Sequence, residues 1–179
     1  MEALPIDFLR QLLRHMEWAD AEVWRAVMVH ESAGADRRLR DLLMHLHLVQ
    51  RLFLVVWQKQ PFDPTRGRPE FATAADLRAW AQTYYAEAHK FLDTLDQPAL
   101  TGEVSMPWVK SLETQNGRTF STPTLGETIF QVTSHSTYHR GQVNARLREI
   151  GGEPPLVDFI AWVWFGRPAP NWAPAAAAV

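Results

Sequence analysis

The stretch His135-Ser136-Thr137-Tyr138-His139-Arg140-Gly141-Gln142 lies inside a segment patterned as an amphipathic helix. Its two histidines are four residues apart, so they sit one turn apart on the same helix face. At about 100° per residue, Ile129, Val132, His135, Ser136, His139, Val143 and Leu147 share that face, which predicts that both imidazoles lie on an apolar, inward stripe. Two imidazoles aimed at one point make half of a metal site. The same pattern sets the architecture, because it runs as one long helix from Pro123-Thr124 to Ile150. Proline suits the first helical position, and Thr124 with Glu127 has capping-box spacing. Gly151-Gly152 and then Pro154-Pro155 stop the helix.

Working outward, three more long helices are predicted. The first runs from about Ile6 to His30, with Leu9, Leu12, Leu13, Met16, Ala19, Val23 and Val27 at spacings of three and four. Gly34 stops it, and Asp36 caps a second helix over Arg37 to Gln60, whose stripe reads Leu39, Leu42, Leu46, Val49, Leu52, Phe53 and Val56. Pro61 and Pro64 close that helix, and a Pro- and Gly-rich loop occupies Phe62 to Phe71. A third helix follows Thr73, carries Leu77, Trp80, Ala81, Tyr84, Ala88, Phe91 and Leu95, and ends before Pro98. Between Ala99 and Pro123 the pattern changes. Two short extended pieces and the pair Asn116-Gly117 point to a small hairpin or ordered loop before the fourth helix. A short helix is expected over Val157 to Trp164. The reading is an all-α chain, a four-helix bundle with long amphipathic helices and no internal linker. Its one domain spans residues 1–167, and residues 168–179 form a Pro/Ala-rich tail with a poorly ordered end.

Composition narrows the chemistry. The 179 residues suffice for one full core. There is no cysteine, which excludes disulfides, thiolate ligands and a cysteine nucleophile, so a transition metal must sit on histidine or carboxylate. The formal net charge is −2 and Arg37-Arg38-Leu39-Arg40 is the nearest thing to a basic run, so nucleic-acid binding is not expected. No apolar run reaches the ~18 residues of a membrane span, and the N-terminal residues lack the apolar core of a signal peptide. A cytoplasmic protein without membrane contact is the expectation. Eight tryptophans offer more packing surface than a minimal bundle has.

The third ligand has to come from another helix. His45 lies within a turn of Leu42 and Val49, and so is read as pointing inward. His47 falls about 200° away and cannot easily serve the same site. Three imidazoles gathered in a core would each need a partner for a buried polar atom, and one divalent cation satisfies all three. The candidate metal ligands are therefore His45, His135 and His139. Such a set, with no protein carboxylate, leaves coordination positions open, which is the catalytic pattern for zinc. Zinc or nickel leads, with iron, manganese and cobalt as alternatives. His15, read as a helix-surface residue, His30 at a helix end and His89 lack such company. Asp20 stands either as a group behind the site or as a surface residue, Ser136 as packing, and Tyr138 and Arg140 off the ligand face.

Trp18-Ala19-Asp20, His45 with Val49-Gln50-Arg51-Leu52, and the His135–Gln142 stretch running into Leu147-Arg148-Glu149-Ile150-Gly151-Gly152 together resemble the DinB/YfiT-like superfamily of metal-dependent helical-bundle proteins. The resemblance reaches from the first helix to Asp158-Phe159-Ile160. It implies an up-down-down-up helix order, a metal on His45, His135 and His139, and, in many members, a homodimer. It also implies activation of a low-molecular-weight thiol for S-transfer or isomerisation. A metal-dependent hydrolase and a non-catalytic, stress-related metal-binding bundle are the alternatives. Where the family often has Glu, this chain has Gln50.

Overall fold

The computed structural model describes residues 4–61, 63 and 68–173. Among the described residues six α-helices form: α1 (Ile6–Val29), α2 (Arg37–Trp57), α3 (Ala74–Asp93), α4 (Val109–Asn116), α5 (Leu125–Glu149) and α6 (Phe159–Trp164). The four long ones are α1, α2, α3 and α5, within a few residues of the sequence expectation. Their starts are chemically marked. The Asp36 side chain accepts from Leu39 N–H at 2.7 Å. Thr73 with Asp76, and Thr124 with Glu127, form complete capping boxes that satisfy amide groups no helix turn can reach. Pro64, half of the 62–71 loop and the end of the tail lie outside the described residues.

The segment before α5 departs from expectation. The Asn116-Gly117 pair ends a helix instead of turning a hairpin. Gly117 has φ 64° and serves as the left-handed cap of α4, a conformation glycine adopts without strain. The only sheet-like pairing among the described residues is an isolated antiparallel bridge, Glu103 to Thr124, which ties the loop to the start of α5. Past α6 the chain turns back. Trp172 donates to Glu17 at 3.3 Å and its ring lies 5.8 Å from that of Tyr85, so the tail is anchored on α1 and α3 as far as it is described.

Side-chain contacts fix how neighbouring helices run. Arg146 pairs with Asp36, and Arg38 with Glu149, at one end of the α2–α5 pair. Trp57 donates to Thr128 at the other end, so these two helices are antiparallel. Arg10 reaches the carbonyls of Leu92 and Leu95, while Val23 and Leu77 share a cluster at the far end, so α1 and α3 also run opposite ways.

α2 was read with the wrong face inward. Its buried residues are Leu39, Leu43, Met44, Leu46, His47, Gln50, Leu54 and Trp57, whereas Leu42, Val49, Leu52, Phe53 and Val56 are half-buried and His45 is exposed. The helix carries leucine or valine on nearly every side, so apolar spacing alone does not choose a face. What chooses it is a polar network. Gln50 Nε2 donates to Asp20 Oδ2 at 2.9 Å and Ser136 Oγ at 3.1 Å, and its Oε1 accepts from His47 Nδ1 at 2.9 Å. His47 Nε2 in turn accepts from Trp24 at 2.8 Å, which makes His47 a neutral imidazole. Arg140 donates to Asp20 Oδ1 at 2.6 Å, and Tyr85 O–H donates to Asp20 Oδ2. Asp20, Gln50, His47 and Arg140 are each at most 2% exposed. A glutamate in place of Gln50 would set a second carboxylate against Asp20, whereas the amide donates to it.

Burial alone pushes the Asp20 carboxyl up, but Arg140 and the hydrogen bonds from Tyr85 and Gln50 together hold it below its ordinary value of 3.8. The pair's contribution to stability is therefore present above that ordinary value and is lost as pH falls through the lower folded-state value. Arg140→Met strands the buried carboxylate and should cost about 3–5 kcal/mol in denaturant unfolding, most of it recovered in the double variant Asp20→Leu/Arg140→Met. A loss under 1 kcal/mol for the single variant would contradict a buried ion pair.

Candidate metal centre

Ser136 and Arg140 face the interior of α5 because the network holds them there. His135 and His139 stand one residue earlier on each turn, about 100° round the helix. That rotation carries them to the edge of the α2–α5 groove, half-buried instead of fully inward. Across the groove stands the exposed His45. One coordinating nitrogen from each of the three lies within 4.8 Å of the others. The ring centroids are 4.2 Å apart for His135–His139, 4.4 Å for His45–His139 and 5.6 Å for His45–His135. The three histidines chosen from sequence are thus brought together, and His47 is kept apart on the buried side.

The nitrogens that converge are identifiable. His139 Nδ1 donates to Gln142 Oε1 at 2.8 Å, which leaves Nε2 with its lone pair. That Nε2 lies 3.1 Å from His135 Nε2. Two nitrogens held about 2.0–2.1 Å from a tetrahedral metal would be about 3.3 Å apart, so the spacing fits one edge of a coordination shell. The donor set consists of imidazole nitrogens only, which suits zinc, nickel, copper or iron better than magnesium or calcium. A tetrahedral ion held by three such ligands would have a fourth position open. The role of Gln142 is not read from the motif, although its spacing of three from His139 on a helix signals the contact.

Electrostatics disfavour protonation of two of the rings. Partial burial first, then the neighbouring His139 and His45, push His135 down to about 4. His45 is lowered by burial, by His139 and by Arg68. His135 thus keeps a free lone pair into mild acid.

The other sequence candidates fall elsewhere. Trp18 packs on Trp162 of α6, and Asp20 is neither a surface residue nor in contact with the three histidines; its partners are those of the buried network. Arg140 is off the ligand face, as read, but is buried and ion-paired. His15 is not a surface residue: it is 6% exposed and donates to the Val157 carbonyl at 2.9 Å. His89 pairs with Glu17. A cavity of about 570 Å³, lined by α1, α5 and residues 154–159, lies on the opposite face of α5 from His135 and His139 and does not include the three histidines.

This fold and site define a helical bundle with an open three-histidine group. The DinB family model matches residues 6–168, and the chain belongs to the DinB family. The crystal structure of a DinB-like protein, YjoA of Bacillus subtilis, is similar in fold, with a TM-score of 0.56 and 18% identity over 83% of this chain and 98% of that one. Comparison with curated proteins gives no match.

In the metal-free protein, an NMR titration of the His135 ring should give a midpoint near 4. A midpoint at the ordinary 6.5 would mean that the rings do not crowd one another.

Proposed function

We propose that the chain is a metal-dependent enzyme whose His45, His135 and His139 hold one divalent cation, zinc or nickel first, and that it acts on a low-molecular-weight thiol. The observation that carries this reading is the three imidazoles gathered on one groove, with no carboxylate in the group and His45 exposed to solvent. A divalent cation bound there supplies a Lewis acid that lowers the pKa of a thiol or water at its open position.

The chain's own residues supply the rest. Gln142 fixes the His139 tautomer and aims Nε2 into the groove. The exposed Tyr138 ring stands edge-on to His139 at 5.0 Å and walls one side. The sequence contains no cysteine, so sulfur chemistry needs a sulfur brought by the substrate. In S-transfer, the thiol gives up its proton, its sulfur bonds to an electrophilic carbon, and the displaced group leaves with the electron pair of the broken bond. Isomerisation would use the same sulfur in reversible addition. A hydrolytic version needs a general base near the bound water, and the three-histidine group offers no carboxylate for that task.

The same reading includes an up-down-down-up bundle, supported by the antiparallel α1–α3 and α2–α5 pairs, and a cytoplasmic location. No helix among the described residues is long and apolar enough to cross a membrane. A homodimer is supported by exposed Phe8, Phe130, Leu156, Ile160, Trp164 and Phe165.

Native mass spectrometry after zinc or nickel loading tests metal and assembly together. One ion per chain, two chains per particle, and no retained ion in His135→Ala are expected. Gln142→Ala should weaken metal affinity about 10- to 100-fold with unfolding unchanged. Failure to retain any divalent ion would remove the enzyme reading. Retention with large metal-dependent stabilisation and no turnover of thiols would favour a structural metal in a binding protein.

A further inference from the structure

One turn before His45, on the same face of α2, stands Asp41. It forms part of the wall of a cavity of about 440 Å³ built from the start of α2, the chain at 68–71 and Leu77 of α3. That volume lies within the range of small-molecule sites, about 300–1,000 Å³. Three guanidiniums line it, Arg37, Arg40 and Arg68, against two carboxylates, Asp41 and Glu70. The pocket therefore carries an excess of positive charge.

Asp41 is shared. Arg68 donates to its Oδ1 at 2.9 Å, and Arg37 Nε approaches its Oδ2 at 4.0 Å. One carboxylate thus faces two cations, both substantially exposed and able to turn towards a ligand. Arg40 is held differently. It donates to the Phe71 carbonyl at 2.5 Å and to that of Ala72 at 3.5 Å, contacts that fix the guanidinium without neutralising it. Because Arg68 is tied to Asp41, one turn from His45 on the same face of α2, the pocket and the three-histidine group are neighbours along that helix.

We propose that this arginine-lined pocket binds the anionic end, a carboxylate, of the small molecule whose other end reaches His45, His135 and His139. The inference rests on the metal reading for its second half only. A guanidinium recognises a carboxylate through paired, charge-assisted hydrogen bonds, and Arg68 exchanges Asp41 for the ligand without leaving its place. The substrate class is then a small thiol with a carboxylate a few bonds from sulfur. Neutral thiols of the same size would bind less well.

The test uses two probes that differ only at that group, N-acetylcysteine and its uncharged amide, titrated calorimetrically into zinc-loaded protein whose metal content is measured in the same samples. The acid should bind roughly tenfold more tightly than the amide, the value of one charge-assisted contact. Arg68→Ala should erase most of that preference with zinc content unchanged. Asp41→Asn, which releases both guanidiniums, should enlarge it. Equal affinities, binding by neither probe, or a preference untouched by Arg68→Ala overturns the proposal. If the protein retains no zinc, the metal reading fails by itself. The same pair on the metal-free chain then decides the pocket: a preference that depends on Arg68 supports it, and none overturns it.

Discussion

The ion pair between Asp20 of α1 and Arg140 of α5 is the constraint on which the rest of the bundle turns. A carboxylate and a guanidinium removed from water each carry a desolvation penalty of several kcal/mol, repaid only with good geometry and satisfied neighbours. Here the neighbours are Tyr85, Gln50, Ser136, His47 and Trp24, so α1, α2, α3 and α5 all contribute. Apolar packing tolerates a small rotation of a helix about its axis. This network does not, because rotation strands a charge. With Arg140 and Ser136 fixed inward, His135 and His139 have one place to be, the rim of the groove opposite His45.

That division of labour explains what was legible in the sequence. Long amphipathic segments, the capping box at Thr124, and helix stops at Gly34 and Gly151-Gly152 are local signals, and the four long helices followed from them. The histidine pair at a spacing of four was legible for the same reason, whereas His45 joins it from an exposed position and not from the inward face that its spacing predicts. Burial was less legible. α2 is apolar on nearly every side, so its inward face depends on Asp20, Trp24 and Ser136, which lie 23 to 86 residues away in the sequence from the side chains they bond. No spacing rule sees those partners. The burial of Asp20, Arg140 and His15 escapes spacing for the same reason, since a polar residue with a satisfied partner looks in sequence like a surface residue. Asn116-Gly117 is the local counterpart. The pair specifies a left-handed residue, and both a hairpin turn and a helix cap use one.

The centre owes its chemical character to this rim position. Three imidazoles sealed inside the core would make a closed, structural site. At the groove edge, with His45 exposed and the other two half-buried, one side stays accessible to a small molecule. The buried network holds the α5 histidines from behind, Gln142 sets the tautomer of one from the side, and the basic pocket at the start of α2 begins one turn from His45. The cavity across α5 is separated from all of this by the helix itself.

X-ray absorption at the zinc edge of the loaded protein bears most directly on the claim that three rings from two helices meet on one ion. The account predicts three imidazole nitrogens at about 2.0 Å together with one further, exchangeable ligand. A shell dominated by oxygen, or with a single imidazole, would contradict it.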